Sequence, residues 1–561
     1  MRAFASRGLA ALLIVVVSWS VPLAQAGDKA AIASAHPLAT QAGQEILREG
    51  GNAFDAAVAV AAALGVVEPF SSGLGGGGFF LLHRASDGYE TMIDARETAP
   101  GRAGPGIYLD ADGKLNSGLS VDGALAAGIP GIPAGLAWLA QHYGRLPLPM
   151  SLGPAIRLAR DGFPADSRFV AAARFREGVL KADASAARIF LRGNAVPATG
   201  TLIKQPELAD TLTALADQGR EGFYAGDVAR RLVSGVQVSG GIWELEDLAR
   251  YRVIEREPMH LRYRGASITC ASLPSAGGLV LAEVLRILER YPLASLPRTE
   301  RDHLVVEALR RGFQDRARYL GDPDFVSPPA WLAQPAYAEL RASSIDRAAA
   351  TPSAVLDKLF PAAQEGDNTT HFSVVDADGN RVAATLSINL PFGAGVIAGD
   401  TGVLLNDEMN DFAIGGEQAS AYRLSGGAAN AVQAGKRPLS SMTPTFVEDA
   451  RGVLAFGTPG GSRIISMVLL GILEYVDATD LDLARVIGAP RFHHQYLPDR
   501  IQIEAAPYAM PPEWVAALKA KGHAVEQAGR AWGNMQGVFV DKRDGSAAAY
   551  NDPRGRAGML F

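Results

Sequence analysis

A threonine at the boundary between a polar segment and an apolar strand is the residue in this sequence best suited to act as a nucleophile. Thr369 follows Asn368 and begins the alternating stretch 369–376, a pattern that predicts a β-strand. A threonine hydroxyl reacts poorly without a base, but a threonine at the start of a chain carries its own base, the α-amine. An α-amine has a pKa of about 7.7–8.0, so part of it is free base near neutral pH. Cleavage of the Asn368–Thr369 bond would therefore activate Thr369.

Two other interpretations of these residues involve no catalysis. Strands commonly begin with β-branched residues, and Asn368-Thr369-Thr370 is also a formal N-glycosylation sequon. The sequence has no G-x-S-x-G elbow, no Walker loop and no H-E-x-x-H motif, so the commonest serine-hydrolase, nucleotide-binding and zincin signatures are missing. His493 and His494 are the only adjacent pair among nine dispersed histidines, and we expect them to pack rather than bind metal. No metal and no cofactor is predicted.

Composition excludes several classes of protein. The chain has 561 residues, 48% hydrophobic content and a formal net charge of −6, so it is not disordered and can bury a large core. Its single cysteine, Cys270, excludes a disulfide scaffold and any site built from a cysteine pair. The 53 Lys and Arg residues nearly balance the 59 Asp and Glu residues. Without a strong positive field, nucleic acid is not an expected partner.

The N-terminus has the order of a secretory signal peptide. Arg2 and Arg7 precede an apolar run, 9–17, and the A-x-A sequence 24–26 predicts cleavage after Ala26. A membrane anchor is the alternative, but the run is shorter than the roughly 20 residues needed to span a bilayer. We therefore expect export without a stable membrane anchor, to the periplasm in a Gram-negative host and to the outside otherwise.

The elements that must position Thr369 follow from hydrophobic periodicity. Helices are predicted at 40–49, from 53 onward, and at 154–160, 302–318, 464–476 and 483–487. Strands are predicted at 79–83, 369–376, 381–389, 445–448, 453–457 and 536–541. The segment 348–368 is the best candidate for a linker. Helices mostly before residue 340 and strands mostly after 368 indicate helical layers over antiparallel sheet, an α+β arrangement.

Blocks of sequence in a fixed order extend this picture along the chain. They are 50–53, 55–57, 74–78, 93–97, 159–163, 321–324, 368–371, 439–445, 457–463 and 489–495. Together they resemble the γ-glutamyltransferases, also called glutathione hydrolases, over nearly everything after the signal peptide. A single Gly-rich block would be weak evidence, whereas many blocks in one order are not expected by chance.

The resemblance implies an N-terminal-nucleophile hydrolase with a four-layer αββα sandwich. It implies a proenzyme that cleaves itself between Asn368 and Thr369, after removal of the signal peptide 1–26. The large chain, 27–368, and the small chain, 369–561, would then pair and form one domain together. The implied activity is cleavage of glutathione and other γ-glutamyl amides through a γ-glutamyl-threonine ester. The acyl group would pass to water or to amino-acid and peptide acceptors.

A γ-glutamyl group ends in a free amino-acid head, so its site must hold a carboxylate. By resemblance, Arg96 pairs with this α-carboxylate, and Ser440 and Ser441 add hydroxyl donors. The residue types alone leave alternatives open. Arg96 lies between Asp94 and Glu97 in the sequence and could form an internal ion pair, and the two serines could cap a loop.

The ammonium of the same head also needs partners. By resemblance these are Asn389, Glu408 and Asp411, which offer an amide oxygen and two carboxylates. The polar stretch 405–411 could instead be a solvated surface loop. Two acidic residues favour an amino-acid head over a glutaryl side chain, the substrate of related acylases, because glutaryl carries no ammonium. Enzymes of poly-γ-glutamate are a further alternative.

Four more residues complete the predicted site. By resemblance, the backbone N–H groups of Gly460 and Gly461 bind the oxyanion, although a plain tight turn would also fit this sequence. Ser387 takes a position where the family commonly has threonine and would support the nucleophile by a hydrogen bond. Tyr422 corresponds to the aromatic residue of a lid, 415–430. A non-catalytic binding protein is the remaining alternative, and it predicts an uncut chain.

Overall fold

The structure is a computed structural model of the chain. It describes residues 29–110, 112, 114–356, 368–414 and 427–556. The predicted signal peptide, 1–26, and the predicted lid residue Tyr422 lie outside these ranges. Within them, no helix is both long enough and apolar enough to cross a membrane.

The strands fall into two large sheets and two small ones. In chain order they are β1 (Ala31–Ser34), β2 (Gly77–Arg84), β3 (Tyr89–Ala95), β4 (Phe163–Pro164), β5 (Leu202–Ile203), β6 (Ile254–Arg256), β7 (Met259–Tyr263), β8 (Ala266–Cys270), β9 (Thr369–Val375), β10 (Arg381–Ser387), β11 (Thr445–Glu448), β12 (Gly452–Gly457), β13 (Phe492–His493), β14 (Ile501–Ile503), β15 (Val525–Gln527), β16 (Gln536–Asp541) and β17 (Ala547–Asn551). Sheet I has the order β1-β9-β10-β2-β3-β6 and sheet II the order β17-β16-β12-β11-β8-β7. Every neighbouring pair in both sheets is antiparallel.

The helices cover the outer faces of the two sheets. In chain order they are α1 (Pro37–Arg48), α2 (Ala53–Val67), α3 (Ile132–His142), α4 (Leu148–Asp161), α5 (Ser167–Phe175), α6 (Glu177–Ala182), α7 (Ala184–Phe190), α8 (Pro206–Gln218), α9 (Glu221–Tyr224), α10 (Gly226–Val238), α11 (Leu245–Arg250), α12 (Gly277–Glu289), α13 (Arg298–Tyr319), α14 (Pro335–Ser343), α15 (Ser353–Leu356), α16 (Arg463–Asp477), α17 (Leu483–Gly488), α18 (Pro512–Ala520) and α19 (Pro553–Arg556).

Four layers result from this packing. Leu81 and Ala383 of sheet I meet Phe446 and Ala455 of sheet II and form an apolar cluster between the sheets. One helical layer, with α2 at its centre, shares a core with sheet I, and a second, with α12, α13 and α16, shares a core with sheet II. Helix α2 is apolar on nearly every side, as expected for a helix buried all round. The predicted α+β class and αββα sandwich are confirmed.

The register of sheet I determines where the site forms. Thr369 at the start of β9 pairs with Ser387 at the end of β10, and Ser387 pairs with Gly77 at the start of β2. Strand β3 ends at the same edge of the sheet, directly before Arg96. A β-carbon at Gly77 would collide with the Glu97 carboxyl group, so glycine allows the close approach there. These chain ends therefore meet at one edge.

The sequence predicted some elements better than others. Every predicted helix and strand is present, with ends shifted by a few residues. Strands β1, β3, β6, β7 and β8 all precede residue 340 and were missed, so the predicted separation of early helices from late strands is only partly correct. Strands β6 and β7 are short and interrupted by charged residues, and β6 and β8 are stabilised by pairing with the distant strands β3 and β11. Residues 357–367 of the predicted linker lie outside the described ranges.

Candidate active site

A pocket at this edge of sheet I brings together residues that are far apart in the sequence. The residues that line it are Arg96, Thr369, Ser387, Asn389, Glu408, Asp411, Ser440, Ser441, Met442, Gly461, Ser462 and Ile464. They include the predicted nucleophile and every predicted ligand of the amino-acid head that the structure describes. Gly460 precedes a lining residue directly in the chain.

The hydroxyl of Thr369 belongs to a relay that reaches the bond predicted to be cleaved. Thr369 Oγ1 donates to Ser387 Oγ at 3.4 Å. Ser387 Oγ donates in turn to the carbonyl oxygen of Asn368 at 3.3 Å, and it accepts from the Asn389 backbone amide at 2.8 Å. The chain is continuous from Asn368 to Thr369, so this is the geometry before cleavage. The Ser387 hydroxyl thus contacts both Thr369 Oγ1, the predicted nucleophile, and the Asn368 carbonyl group that Thr369 would attack.

Arg96 is bound by the two acidic residues predicted to hold the ammonium. It is 1% exposed, and its guanidinium donates to Glu408 Oε2 at 2.6 Å and to Asp411 Oδ2 at 2.5 Å. Glu97 Oε2 lies 3.3 Å from the same guanidinium, so the alternative of a local ion pair is also realised. Glu408 is buried within a short 3₁₀ helix, Glu408–Asp411, and the alternative of a solvated surface loop is wrong.

Three carboxyl groups around one guanidinium perturb each other's titration. Burial, followed by the charge of Glu408, raises the pKa of Asp411 to about 7. Burial and Glu408 also raise the pKa of Glu97 well above its ordinary value. Burial lowers the pKa of Arg96, but the three carboxylates outweigh it and the net shift is upward. The cluster therefore holds a permanent cation beside a carboxyl group, that of Asp411, which titrates near neutral pH.

Buried polar groups fix the backbone of Arg96. Its amide donates to Asp94 Oδ1 at 3.0 Å, and its carbonyl oxygen accepts from Tyr251 Oη at 2.9 Å and from Arg437 Nη1 at 2.8 Å. Arg437 lies three residues before Ser440, so it joins the Arg96 segment to the serine loop. The sequence prediction missed Tyr251 and Arg437, although Arg437 adjoins the block 439–445.

The two serines have their oxygens occupied as acceptors. Ser440 Oγ accepts from the Met442 amide at 3.1 Å, and Ser441 Oγ accepts from Arg316 Nη2 at 3.2 Å. A hydroxyl that accepts one hydrogen bond still has its own hydrogen to donate. The arrangement suits two donors aimed at a carboxylate in the pocket. Arg316, on α13, is a further residue that sequence reasoning missed, because nothing in its helical surroundings distinguishes it from a structural arginine.

Asn389 adopts a backbone conformation unusual for a residue other than glycine. Its φ is +74°, and its side-chain amide nitrogen donates to the Asp407 carbonyl oxygen at 3.0 Å. Asp407 also accepts from the Leu390 amide at 2.9 Å and from the Asn389 side chain at 3.3 Å. Asp407, which the sequence prediction did not single out, therefore holds Asn389 at the pocket. Strain of this kind is concentrated at functional sites.

Gly460 and Gly461 lie between β12 and the N-terminus of α16. Both have positive φ, +140° and +56°, which glycine adopts without a steric penalty. Among the described residues neither amide has a hydrogen-bond acceptor. Two unpaired amides beside a helix N-terminus are suited to stabilising a developing negative charge.

In the ranges that the structure describes, no three or more His, Cys, Asp or Glu side chains are grouped so as to hold a metal ion. His493 Nδ1 contacts Ser466 Oγ at 2.7 Å, and His494 Nε2 contacts Asp499 Oδ1 at 3.2 Å. The two adjacent histidines thus have separate partners within the protein.

The chain is similar to known proteins in sequence and in fold. The family described as Gamma-glutamyltranspeptidase matches residues 39–561. The glutathione hydrolase proenzyme of Escherichia coli K12 is 40% identical over 529 residues, which cover 93% of this chain and 90% of the relative. A crystal structure of cephalosporin acylase from Bacillus halodurans matches with a TM-score of 0.80 and 27% identity, covering 97% of this chain and 98% of that chain.

A second solved structure, the γ-glutamyltranspeptidase of Helicobacter pylori, is 38% identical with a TM-score of 0.55, covering 56% of this chain and 92% of that chain. The resemblance seen in the sequence blocks is therefore confirmed over nearly the whole chain. The chain, whose pocket joins a strand-initial threonine to the residues predicted to bind an amino-acid head, belongs to the γ-glutamyltranspeptidase family.

Proposed function

We propose that this protein is an exported, self-processing γ-glutamyltransferase and glutathione hydrolase. It would be cut into a large chain, 27–368, and a small chain, 369–561, which remain paired. The observation that carries the proposal is the pocket itself, where the Thr369 hydroxyl lies beside a guanidinium, carboxylates and two serine hydroxyls. A γ-glutamyl amide presents this pocket with a reactive carbonyl, a carboxylate and an ammonium.

Recognition of the head is an exchange of ion pairs. In the free site Arg96 is bound to Glu408 and Asp411. The α-carboxylate of a γ-glutamyl group accepts hydrogen bonds from Arg96 and the two serines. The α-ammonium of the same group binds the Glu408 and Asp411 carboxylates, which Arg96 has released. Both charges enter a site that already holds their partners, so the buried charges remain compensated.

Self-cleavage follows from the hydroxyl relay. Thr369 Oγ1 attacks the carbonyl carbon of Asn368, and the Ser387 hydroxyl, which already donates to that carbonyl oxygen, stabilises the developing oxyanion. The C–N bond breaks, the nitrogen takes up the proton that the Thr369 hydroxyl loses and becomes the α-amine of Thr369, and the Asn368 acyl group is left as an ester on Thr369 Oγ1. Water hydrolyses the ester and returns the Thr369 hydroxyl.

The mature site repeats this chemistry on the substrate. The new α-amine accepts the proton of Thr369 Oγ1 as it attacks the γ-carbonyl, and the Gly460 and Gly461 amides stabilise the oxyanion. The amide bond breaks, its nitrogen leaves with the proton, and the γ-glutamyl group stays as an ester. Attack by water gives hydrolysis, and attack by the amine of an amino acid or peptide gives transfer.

A substrate panel and intact mass spectrometry test the proposal. Two chains, the smaller matching 369–561, are expected, together with turnover of a γ-glutamyl anilide. The likeness to a cephalosporin acylase favours one second candidate, an acylase, and a glutaryl anilide serves as its test substrate. Glutaryl lacks the ammonium that Glu408 and Asp411 would bind, so the glutaryl anilide should react far more slowly. A single uncut chain, or a preference for glutaryl, would refute the proposal.

A further inference from the structure

Arg316 is a buried arginine beside the pocket to which the proposed reaction gives no role. It lies in the last turn of α13 and is 3% exposed. Its Nη2 donates to Ser441 Oγ at 3.2 Å, and its Nε is buried without a partner. In the part of the chain that the structure describes, no carboxylate forms an ion pair with it.

Other buried arginines of the same helix are compensated by acids. Arg311 Nη1 lies 2.7 Å from Glu307 Oε2, and Arg310 pairs with Glu307 at 3.2 Å and with Asp499. Burial lowers the pKa of Arg316 to about 10, with Asp411 acting in the opposite direction, so its guanidinium is still charged at neutral pH. A buried cation without a matching acid is unfavourable for folding, which indicates a role other than stability.

The chemistry of the two side chains fixes the direction of their hydrogen bond. A guanidinium has no acceptor, so Arg316 can only donate and the Ser441 oxygen can only accept. The hydroxyl hydrogen of Ser441 must then point elsewhere, and Ser441 lines the pocket. The Ser440 oxygen likewise accepts a hydrogen bond, but its donor is the backbone amide of Met442 and not a side chain.

We propose that Arg316 is a positioning residue for the α-carboxylate of the γ-glutamyl substrate, because it holds the Ser441 hydroxyl as a donor aimed into the pocket. The inference rests on the proposed function, which supplies that carboxylate. Arg316 acts through Ser441, which would contact the head of the substrate and not its reacting carbonyl. Its loss therefore weakens substrate binding and leaves the chemical step nearly unchanged.

A double-mutant cycle tests this with the full-length, self-processed protein and a γ-glutamyl anilide. Arg316→Met and Ser441→Ala are each expected to raise KM about tenfold or more, with kcat within about threefold of the parent. Because both act on one hydrogen bond, the double variant should exceed the larger single effect by no more than about twofold. Arg316→Lys keeps a donor and should recover part of the loss. Arg298→Met, at an exposed position on the same helix, should leave KM within about twofold.

The outcomes separate this inference from the proposed function. If the parent does not cleave the anilide, the proposed function fails. If the parent does, but the Arg316 and Ser441 effects multiply, or kcat falls as much as KM rises, the inference alone is wrong. Failure of both Arg316→Met and Arg316→Lys to fold and self-cleave would also overturn it, because Arg316 would then be needed for packing.

Discussion

Ser387 is the residue whose removal best tests the geometry before cleavage. Its Oγ lies 3.3 Å from the Asn368 carbonyl oxygen and 3.4 Å from Thr369 Oγ1, and the Asn389 amide holds it at 2.8 Å. Ser387→Ala removes this hydroxyl and leaves Thr369 in place. Attack by Thr369 would then build negative charge on the Asn368 oxygen without this donor, so self-cleavage should slow.

The size of the effect follows from the kind of hydrogen bond that is lost. In the resting chain the contact is long and joins neutral groups, so it contributes little to stability. When the carbonyl oxygen becomes an oxyanion, the same bond is to a charged group and is worth about 1.5–3 kcal/mol. The cleavage rate should therefore fall by roughly 10- to 150-fold.

The assay is the fraction of cut chain measured against time by intact mass spectrometry. Ser387→Thr keeps the hydroxyl and should cleave at a rate close to that of the parent. Ser373→Ala is the matched control, because it removes another buried hydroxyl of sheet I, one that contacts His371 Nε2 at 3.1 Å and not the scissile bond. A Ser387→Ala rate within about twofold of the parent would show that the relay takes no part in cleavage.

Three further predictions concern the head-group site and the nucleophile. Because burial and Glu408 raise the pKa of Asp411 to about 7, the carboxylate proposed to bind the ammonium is lost as the pH falls through that value. KM for a γ-glutamyl anilide should therefore be higher below about pH 7 than above it. Asp411→Asn should give a high KM that does not change with pH in this range. Profiles of KM against pH for the parent and the variant measure both effects. Arg96→Ala should destabilise the fold by about 3–5 kcal/mol in denaturant unfolding, since it leaves buried carboxylates unpaired, whereas Arg96→Lys should mainly raise KM. Thr369→Ala should stay one chain on a denaturing gel, and Thr369→Ser should still be cut.

Strong local patterns carried the successful predictions of the fold. Strand β9 has an alternating pattern and helices α2 and α16 have long apolar runs, so the type of each element could be derived from the chain alone. Strand β8 could not, because it pairs with β11, which lies far along the sequence, and β7 is held at the edge of sheet II by pairing with β8. Local pattern has no access to such long-range contacts.

The candidate site, like the fold, combines features that the sequence predicts with long-range contacts that it does not. The residue types for an amino-acid head could be predicted with the help of the family resemblance, but their partners could not. Arg96 and Glu408 are 312 positions apart, and Ser441 and Arg316 are 125 apart. In the sequence, Arg316 is one of several arginines on the same helix, and only the fold shows that, among the described residues, it has no ion-pair partner and contacts a pocket serine.

The strand pairing of the two sheets explains how the proposed cut before Thr369 could be made without loss of the site. Strand β9 would be the first of the proposed small chain, and it pairs with β1 of the proposed large chain, while β10 pairs with β2 of that chain. In sheet II, β11 of the small chain pairs with β8 of the large chain. Separating the chains would break all three strand pairs and the ion pairs of Arg96 with Glu408 and Asp411. Cleavage before Thr369, as proposed, would therefore free an amine at the start of β9 within an intact sheet. The fold would have to form before this cut, because residues on both sides of it line the pocket.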